Sequence, residues 1–287
     1  MSITTHADEL TRFIALSLDE DVGSGDHTSL ACIPPQSRNK ARLLSKDSGI
    51  ISGVGFARDV FKYVDAGSQF NVFIDDGNHI NHRDVVFEVE CNSQALLKAE
   101  RLVLNVMQRM SAISTLSRRF ADEVSDLKVQ VLDTRKTTPL MRFLEKEAVA
   151  IGGCTNYRFG LYDRIMIKDN HIDACGGITQ AIDRVHKYLD EHQLQLKITI
   201  EVRNLIELYE VLRKGTIDRI MLDNFEVPIL REAVEIISGR FETEASGGIT
   251  LANVRRFAET GVDFVSVGAL THSFGALDLS LKVVREK

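Results

Sequence analysis

Two patterns of hydrophobic and polar residues divide the chain, which has 287 residues. Between residues 39 and 91, short β-branched and apolar stretches are separated by turn residues, and this pattern predicts a small antiparallel sheet. The Asp-Asp-Gly-Asn sequence at residues 75–78 is typical of a hairpin turn within that sheet. Apolar residues at helical spacing over residues 6–18 and 55–64 predict two helices in the same region.

A long amphipathic segment, residues 93–124, follows the predicted sheet and is typical of one long helix or a broken pair. Leu97 and Leu104 fall outside its main apolar stripe, and Arg101 stands between them. A helix that is apolar on more than one side is usually buried on both sides, so we expect a second partner there, with another subunit as the candidate. The main stripe comprises Leu96, Ala99, Val103, Val106, Met107, Met110 and Ile113.

After residue 128 the pattern changes to short apolar strands, each followed by a polar tip and a helical segment. The strands are VQVL, RIMI, ITIEV, RIML, FETEA and FVSV. From Glu201 onward the tips are about 22 residues apart, which is the length of one strand–helix unit with short loops. Six strands that alternate with helices predict a parallel sheet, and the steady repeat favours a barrel over an open sheet.

The polar tips of such a barrel are expected to lie together, because active sites of these folds lie at the carboxyl ends of the strands. An alternative is that they are ordinary polar loop residues that cap helices, as in every barrel of this kind. The predicted cluster comprises Arg135, Lys136, Lys168, Glu201, Asp223, Ser246 and Gly268.

Composition and charge narrow the class of ligand. The net charge of -6 and pI of about 5.8 argue against a nucleic-acid partner, because there is no basic excess to neutralise phosphates. No apolar run reaches the ~18 residues that a membrane span requires. Four scattered cysteines, without a Cys-x-x-Cys pair, are expected to be reduced thiols in the cytoplasm. Cations that cluster locally in an acidic chain therefore indicate a pocket for a small anion.

The residue types at the tips indicate phosphate chemistry. ASGGIT at residues 245–250 and SVGALTH at residues 266–272 each place glycine between a strand and a helix, where backbone N–H groups can approach a phosphate. Four cations, Arg135, Lys136, Arg158 and Lys168, would repel one another in one cavity unless a polyanion occupies it. Glu201 and Asp223 add acceptors for ribose hydroxyls or for a Mg²⁺ shell. The residues predict an enzyme site for a phosphorylated sugar and a second anion.

These motifs resemble those of the quinolinate phosphoribosyltransferase family, also called nicotinate-nucleotide pyrophosphorylases (carboxylating). The resemblance runs from about residue 18 to residue 280 and rests on EDVGSGDHTS, ERLVLNVMQRMS, DTRKTTP, EKEAVAIGGCTNYRFGLYDRIMIKDNHI, TIEV, MLDN, EASGGI and SVGALTHS. It implies an N-terminal α/β sandwich domain, residues 1–112 with 274–287, and a C-terminal incomplete α/β barrel of about seven strands, residues 113–273. It also implies a final helix that returns to the first domain.

The activity implied by the resemblance is a pentosyltransferase reaction of NAD biosynthesis. Quinolinate and phosphoribosyl pyrophosphate would give nicotinate mononucleotide, pyrophosphate and CO₂ with Mg²⁺. The resemblance also implies an obligate homodimer, in which Arg101 matches the arginine that each subunit would contribute to its neighbour's site.

The resemblance also assigns roles within the site. Thr134, Arg135, Lys136, Tyr157, Arg158 and Lys168 would bind the quinolinate carboxylates and the phosphates. Glu201 and Asp223 would hold ribose hydroxyls and Mg²⁺, and together with Lys136 and Lys168 they would be the catalytic residues. Ser246, Gly247, Gly248, Gly268 and Ala269 would cradle phosphate.

Three positions depart from the family pattern. Tyr157 replaces a histidine that can carry charge, Leu140 replaces a glycine, and Cys154 replaces the third of three glycines. Tyrosine stays neutral near pH 7, so weaker or retuned acceptor binding is expected. The alternatives are a phosphoribosyltransferase for another pyridine or base, a lyase that uses Lys168 as a Schiff-base nucleophile, and a non-catalytic nucleotide sensor.

Overall fold

The computed structural model describes residues 6–284, which form two compact units. The first, here the sheet unit, comprises Pro139–Gly152 and the described parts of Met1–Leu116 and Phe274–Lys287. The second, here the barrel unit, comprises Ser117–Thr138 and Gly153–Ser273. The domain limits that the resemblance implies, at residues 112 and 273, stay a prediction.

The helices and strands follow one another in two groups along the chain. The first group is α1 (His6–Val22), α2 (His27–Cys32), β1 (Arg38–Ser45), β2 (Gly49–Ile50), α3 (Val54–Val64), β3 (Gln69–Val72), β4 (His79–Ile80), β5 (Val85–Asn92) and α4 (Ser93–Glu123). The second group is β6 (Gln130–Leu132), α5 (Arg142–Ile151), β7 (Ile165–Ile167), α6 (Asp169–Cys175), α7 (Ile178–Glu191), β8 (Ile198–Val202), α8 (Leu205–Lys214), β9 (Arg219–Asp223), α9 (Val227–Ile237), β10 (Glu242–Ser246), α10 (Val254–Ala258), β11 (Phe264–Ser266), α11 (Ala269–His272) and β12 (Leu279–Val283).

The sheet unit contains a four-stranded antiparallel sheet in the order β12-β1-β5-β3. Its last strand, β12, comes from the end of the described chain and pairs with β1, with Ala41 opposite Val283. The expected final helix is therefore wrong, because the sequence Leu279–Val283 adds a strand to the edge of the sheet. The alternating burial along β1 is what a half-buried antiparallel strand requires.

The expected hairpin at residues 75–78 is also wrong. Strand β3 pairs with β5, whereas β4 pairs with β2, so the turn connects two different sheets. Asp76 in this turn accepts the N–H groups of Val54 and Gly55 at 2.9 and 3.4 Å. These donors open α3, where the first N–H groups of a helix have no partner within the helix. The turn residues therefore cap a helix.

Helix α4 is a single unbroken helix, and the predicted apolar stripe is its buried face. Every residue of that stripe is at most 2% exposed. Of the two leucines outside the stripe, Leu104 is buried in the chain itself, whereas Leu97 is 40% exposed. Only the end of α4 that carries Leu97 and the exposed Arg101 is therefore left for a further partner.

The barrel unit confirms the predicted parallel α/β architecture. Its six strands form one parallel sheet in the order β6-β11-β10-β9-β8-β7. A single parallel bridge adds Thr155 to the outer edge of β6, opposite Leu132, as a short seventh element. Within residues 6–284 no backbone ladder joins this element to β7, so the barrel is incomplete.

Candidate active site

The parallel register of the barrel unit places successive tips side by side. Ser246 pairs with Asp223, and Glu201, on the next strand, pairs with Met221. Because all six strands point the same way, their carboxyl ends meet at one edge of the sheet. The predicted residues Glu201, Asp223 and Ser246 therefore lie on three adjacent strands at this edge.

Lys168 and Glu201 form an ion pair between the neighbouring strands β7 and β8. The ammonium nitrogen of Lys168 lies 3.1 Å from Oε2 of Glu201, and their side chains are 45% and 8% exposed. Burial raises the pKa of the Glu201 carboxyl, Lys168 opposes that shift, and the nearby Asp223 adds to it. His171 fixes the backbone beside the pair, because its Nδ1 accepts the N–H of Lys168 at 2.9 Å.

The loop after β10 has the open geometry that its glycines predict. Gly247 and Gly248 have φ angles of 98° and 62°, in the left-handed region that favours glycine. A Cβ on Gly247 would lie 2.9 Å from the backbone nitrogen of Asn224, a contact that real side chains do not make. Asn253 closes the loop by donating to the carbonyl of Gly248 at 3.1 Å. Gly247 therefore makes room for Asn224, whereas a Cβ on Gly248 would meet open space.

The loop after β11 meets the loop after β6. A Cβ on Gly268 would lie 3.0 Å from Cδ of Lys136, so glycine makes room for that lysine. Thr271 donates to the carbonyl of Lys136 at 2.8 Å, and Lys136 donates its N–H to Oγ1 of Thr134 at 3.1 Å. Lys136 is thereby placed beside Gly268, and Ala269 follows in the chain.

Arg135 and Arg158 are the half-buried cations of the site. Burial, together with repulsion from Arg135, lowers the pKa of the Arg158 guanidinium. Two guanidinium groups that repel each other in a partly desolvated place are stabilised by an anion between them. Arg101 belongs to the sheet unit, where it is exposed on α4.

A polar cluster beneath the tips, here the barrel floor, was missed by the sequence analysis. Arg219 donates to Glu242 at 2.9 Å and to Glu244 at 3.1 Å, and Glu244 is fully buried. Burial raises the pKa of the Glu244 carboxyl, and the hydrogen bond from Ser266 opposes that shift. Arg164 donates to Oγ1 of Thr199 at 3.1 Å.

The missed signal was the two-residue period of the strands. Thr199 stands two residues before Glu201, Arg219 four before Asp223, and Glu244 two before Ser246. Residues an even number apart on a strand share a face, so polar residues at these positions extend the face that carries the tips. A search for polar residues at even spacing behind each tip would have found them.

The protein side chains of the site supply only some of the ligands that a magnesium ion needs. Among the described residues no group of three or more histidine, cysteine, aspartate or glutamate side chains could hold a metal ion. Glu201 and Asp223 still interact electrostatically, and Mg²⁺ is commonly held by one or two carboxylates together with water and substrate phosphates. The donor set therefore suits an ion that arrives with a phosphate ligand.

The structure accounts for two of the three departures from the family pattern, Leu140 and Cys154. Leu140 has a φ of 63° and is 80% exposed, so it adopts a backbone conformation that suits the family glycine better. Cys154 is buried and lies 3.2 Å from the carbonyl of Ser117, to which it donates. Burial raises the pKa of its thiol to about 12, which disfavours the thiolate that a nucleophilic cysteine requires.

Family models match most of the chain. The model described as "Quinolinate phosphoribosyl transferase, N-terminal domain" matches residues 26–111, and the corresponding C-terminal domain model matches residues 113–282. No helix in residues 6–284 combines the length and the apolar character that a membrane crossing requires.

Individual relatives are similar over nearly the whole chain. A quinolinate phosphoribosyltransferase [decarboxylating] from Nicotiana tabacum is 44% identical over 97% of this chain and 83% of its own length. A probable nicotinate-nucleotide pyrophosphorylase [carboxylating] from Bacillus subtilis is 40% identical over 92% of this chain and 90% of its own. The solved nicotinate-nucleotide pyrophosphorylase from Francisella tularensis is 36% identical, with a TM-score of 0.90 over 98% of each chain.

Proposed function

Since the chain belongs to the quinolinate phosphoribosyltransferase family, we propose that it transfers phosphoribosyl from phosphoribosyl pyrophosphate to quinolinate and decarboxylates the product. The products would be nicotinate mononucleotide, pyrophosphate and CO₂, a step of NAD biosynthesis. The observation that carries the proposal is the Lys168–Glu201 ion pair at the same edge of one parallel sheet as two glycine loops.

The chemistry requires charge stabilisation and positioning, and no side-chain nucleophile. The pyridine nitrogen forms a bond to the anomeric carbon as the bond to pyrophosphate breaks and the leaving group takes its electrons. In the positively charged ring, the bond to the carboxylate next to the nitrogen then breaks. CO₂ leaves, and the ring carbon accepts a proton. Residues that hold two anions and a ribose in line therefore account for the rate.

We assign substrate-binding roles to the residues by their charge and by their position at the strand ends. Arg135, Arg158 and Lys168 would bind quinolinate carboxylates and phosphate oxygens. The charges of the two arginines repel each other in a partly buried place, and Lys168 stands at the end of a strand beside Glu201. Glu201 and Asp223 would accept ribose hydroxyls. The phosphate-binding group would consist of Thr134, Lys136, Ser246, Gly247, Gly248, Gly268 and Ala269. Tyr157 would border the acceptor-binding part of the site.

Magnesium would enter with phosphoribosyl pyrophosphate. Glu201 and Asp223 are the residues that would hold it, and the ion would supply charge neutralisation for the leaving pyrophosphate. The arrangement needs only these two carboxylates from the protein, because the phosphates and water complete the shell.

We also propose a homodimer in which Arg101 completes the neighbouring site. Arg101 is exposed and makes no ion pair among the residues that the structure describes. It borders a cavity of about 650 Å³ in the sheet unit, together with Leu16 and Leu140, which are 55% and 80% exposed. The same cavity is lined by charged side chains, among them Arg12 and Glu20. A cation beside two exposed leucines, within a polar rim, suits a surface that another protomer covers.

For the compartment we propose the cytoplasm, since all four cysteines are free thiols. Plant relatives from Nicotiana are described as mitochondrial, so a fusion of this chain to a fluorescent protein would test the proposal by its location.

The decisive experiment supplies quinolinate labelled in the carboxylate next to the nitrogen, together with phosphoribosyl pyrophosphate and Mg²⁺. We expect labelled CO₂ and nicotinate mononucleotide in equal amounts, and neither product without Mg²⁺. Release of pyrophosphate with a different pyridine acceptor, and no CO₂ from quinolinate, would instead support the related transferase.

A further inference from the structure

Tyr157 spans the barrel unit from one edge of the sheet towards the other. It follows Thr155, which lies at the outer edge of β6, and β6 is the first strand in the sheet order. Its hydroxyl lies 2.8 Å from Oγ1 of Thr199, on β8, next to the opposite edge strand β7. This side-chain hydrogen bond therefore crosses the interior where no backbone ladder closes the barrel.

The barrel floor holds the Tyr157 side chain on several sides. The guanidinium carbons of Arg164 and Arg219 lie 5.4 and 5.0 Å from its ring centroid, within cation–π range. Arg164 also donates to Thr199, the residue that the hydroxyl contacts. Burial raises the pKa of the Tyr157 hydroxyl, so the neutral phenol persists between two cations. A histidine in this place would add a third positive charge when protonated.

The backbone of Tyr157 is hydrogen-bonded to the segment that carries the predicted anion-binding residue Arg135. Its N–H donates to Oδ1 of Asp133 at 2.7 Å, and Asp133 is fully buried two residues before Arg135. Arg158 is the next residue in the chain, and it lines one cavity together with Arg164. A change in the position of Tyr157 would therefore move the cations on both sides of it.

We propose that Tyr157 is a positioning residue whose hydroxyl, bonded to Thr199 and flanked by Arg164, holds Arg158 in the orientation that binds the acceptor. This inference rests on the proposed function, in which the acceptor is a pyridine dicarboxylate. Tyr157 then acts through Arg158 and needs no contact with the substrate. The bond to Thr199 replaces part of the backbone closure that the incomplete barrel lacks.

The test uses hydroxyl deletions with matched controls elsewhere in the same unit. Tyr157→Phe and Thr199→Val each remove one side of the bond and keep the shape of the side chain. Tyr209→Phe removes a tyrosine hydroxyl from a side chain on α8 that is 50% exposed. Thr243→Val removes a buried threonine hydroxyl that bonds Asp263, and so controls for lost stability alone.

We expect Tyr157→Phe to raise the KM for quinolinate by about threefold to tenfold, the effect of one hydrogen bond. Thr199→Val should raise it at least as much, because it also removes the acceptor of Arg164. The kcat and the KM for phosphoribosyl pyrophosphate should stay within about twofold of wild type. The double variant should be no worse than the more severe single variant, because both remove the same bond. Tyr209→Phe should match wild type, and Thr243→Val should lower only the Tm.

Two results would contradict these proposals in different ways. If the wild type is active and the KM for quinolinate is unchanged in both Tyr157→Phe and Thr199→Val, the positioning role alone is overturned. It is also overturned by a loss of kcat that follows the loss of Tm in all buried variants, since that is a purely structural effect. A wild type that makes no nicotinate mononucleotide overturns the proposed function first.

Discussion

The ammonium nitrogen of Lys168 lies 3.1 Å from Oε2 of Glu201, and the carboxylate is the buried partner of the two. A lysine that donates to a carboxylate has no free lone pair with which to attack a carbonyl. This relationship favours electrostatic binding by Lys168 over a Schiff-base mechanism, although both would use a lysine at a strand end.

Lys168→Ala is expected to lower kcat/KM by about 100-fold or more, as for loss of a preorganised charged donor. Borohydride with a carbonyl compound should leave wild-type Lys168 unmodified, as judged by mass spectrometry of the peptide. Lys187→Ala is the matched control, because Lys187 is 76% exposed and forms only a surface pair with Glu191. A reduced adduct on Lys168 would favour the lyase instead.

Glu201→Gln should change the pH dependence of the protein's stability and should separately lower its activity. Burial raises the pKa of Glu201 above its ordinary value of 4.5, so the wild type loses stability as the pH rises through that raised pKa. Glutamine does not titrate. The stability of the variant relative to wild type should therefore grow from about pH 4 upward and level off once Glu201 is ionised.

Urea unfolding between about pH 4 and pH 8 measures this difference, while nicotinate mononucleotide formation should fall by about 100-fold. Lys168, left without its partner, is 45% exposed and remains hydrated. A stability difference that shrinks as the pH rises would contradict the assignment.

Gly247→Ala should disable the loop after β10. The φ of 98° and the close approach to the backbone of Asn224 together predict a loss of about 1–3 kcal/mol, with a raised KM for phosphoribosyl pyrophosphate. Gly239→Ala is the control, because Gly239 also has a positive φ, of 70°, but open space around it. We expect that control to lose about 1–2 kcal/mol of stability and no substrate affinity.

The sequence predicts those parts of the barrel unit that depend on regular parallel strands. Tips on neighbouring strands, such as Lys168 and Glu201, must lie close together once the strands are parallel. The contact between Tyr157 and Thr199 could not be predicted in this way. Its partners are 42 residues apart and lie on elements that do not pair, so it depends on the curvature of the whole sheet.

Local turn signals were less informative in the sheet unit. The Asp-Asp-Gly-Asn sequence correctly marks a turn, but the choice between a hairpin and a helix cap depends on Val54, which is 22 residues earlier. Turn propensity describes the backbone of four residues and carries no information about which strands pair. Strand β12 was mistaken for a helix because the resemblance, rather than the alternating sequence Leu-Ser-Leu-Lys-Val, supplied that expectation.

Leu140→Gly is expected to stabilise the protein. A leucine at a φ of 63° bears a backbone penalty of about 1–2 kcal/mol, which the greater flexibility of glycine in the unfolded chain offsets by about 0.5–1 kcal/mol. The net gain should be between zero and about 1.5 kcal/mol in urea unfolding. Leu140→Ala keeps the backbone penalty and removes most of the side chain. If the alanine variant gains as much as the glycine variant, the exposed side chain and not the backbone is responsible.

Mixing two inactive variants tests whether Arg101 serves a neighbouring subunit. In the proposed homodimer, Arg101→Ala and Lys168→Ala should each leave little activity, because every site would lack one cation. When the two are unfolded, mixed in equal amounts and refolded together, half of the dimers are mixed, and each mixed dimer has one site with both residues intact. About a quarter of wild-type activity should then return.

The control mixture contains Arg231→Ala, on the outer helix α9, in place of Arg101→Ala. Arg231→Ala should be fully active by itself, so its mixture with Lys168→Ala should keep about half of wild-type activity. If the two inactive variants regain no activity although mass spectrometry shows that mixed dimers form, Arg101 acts within its own chain.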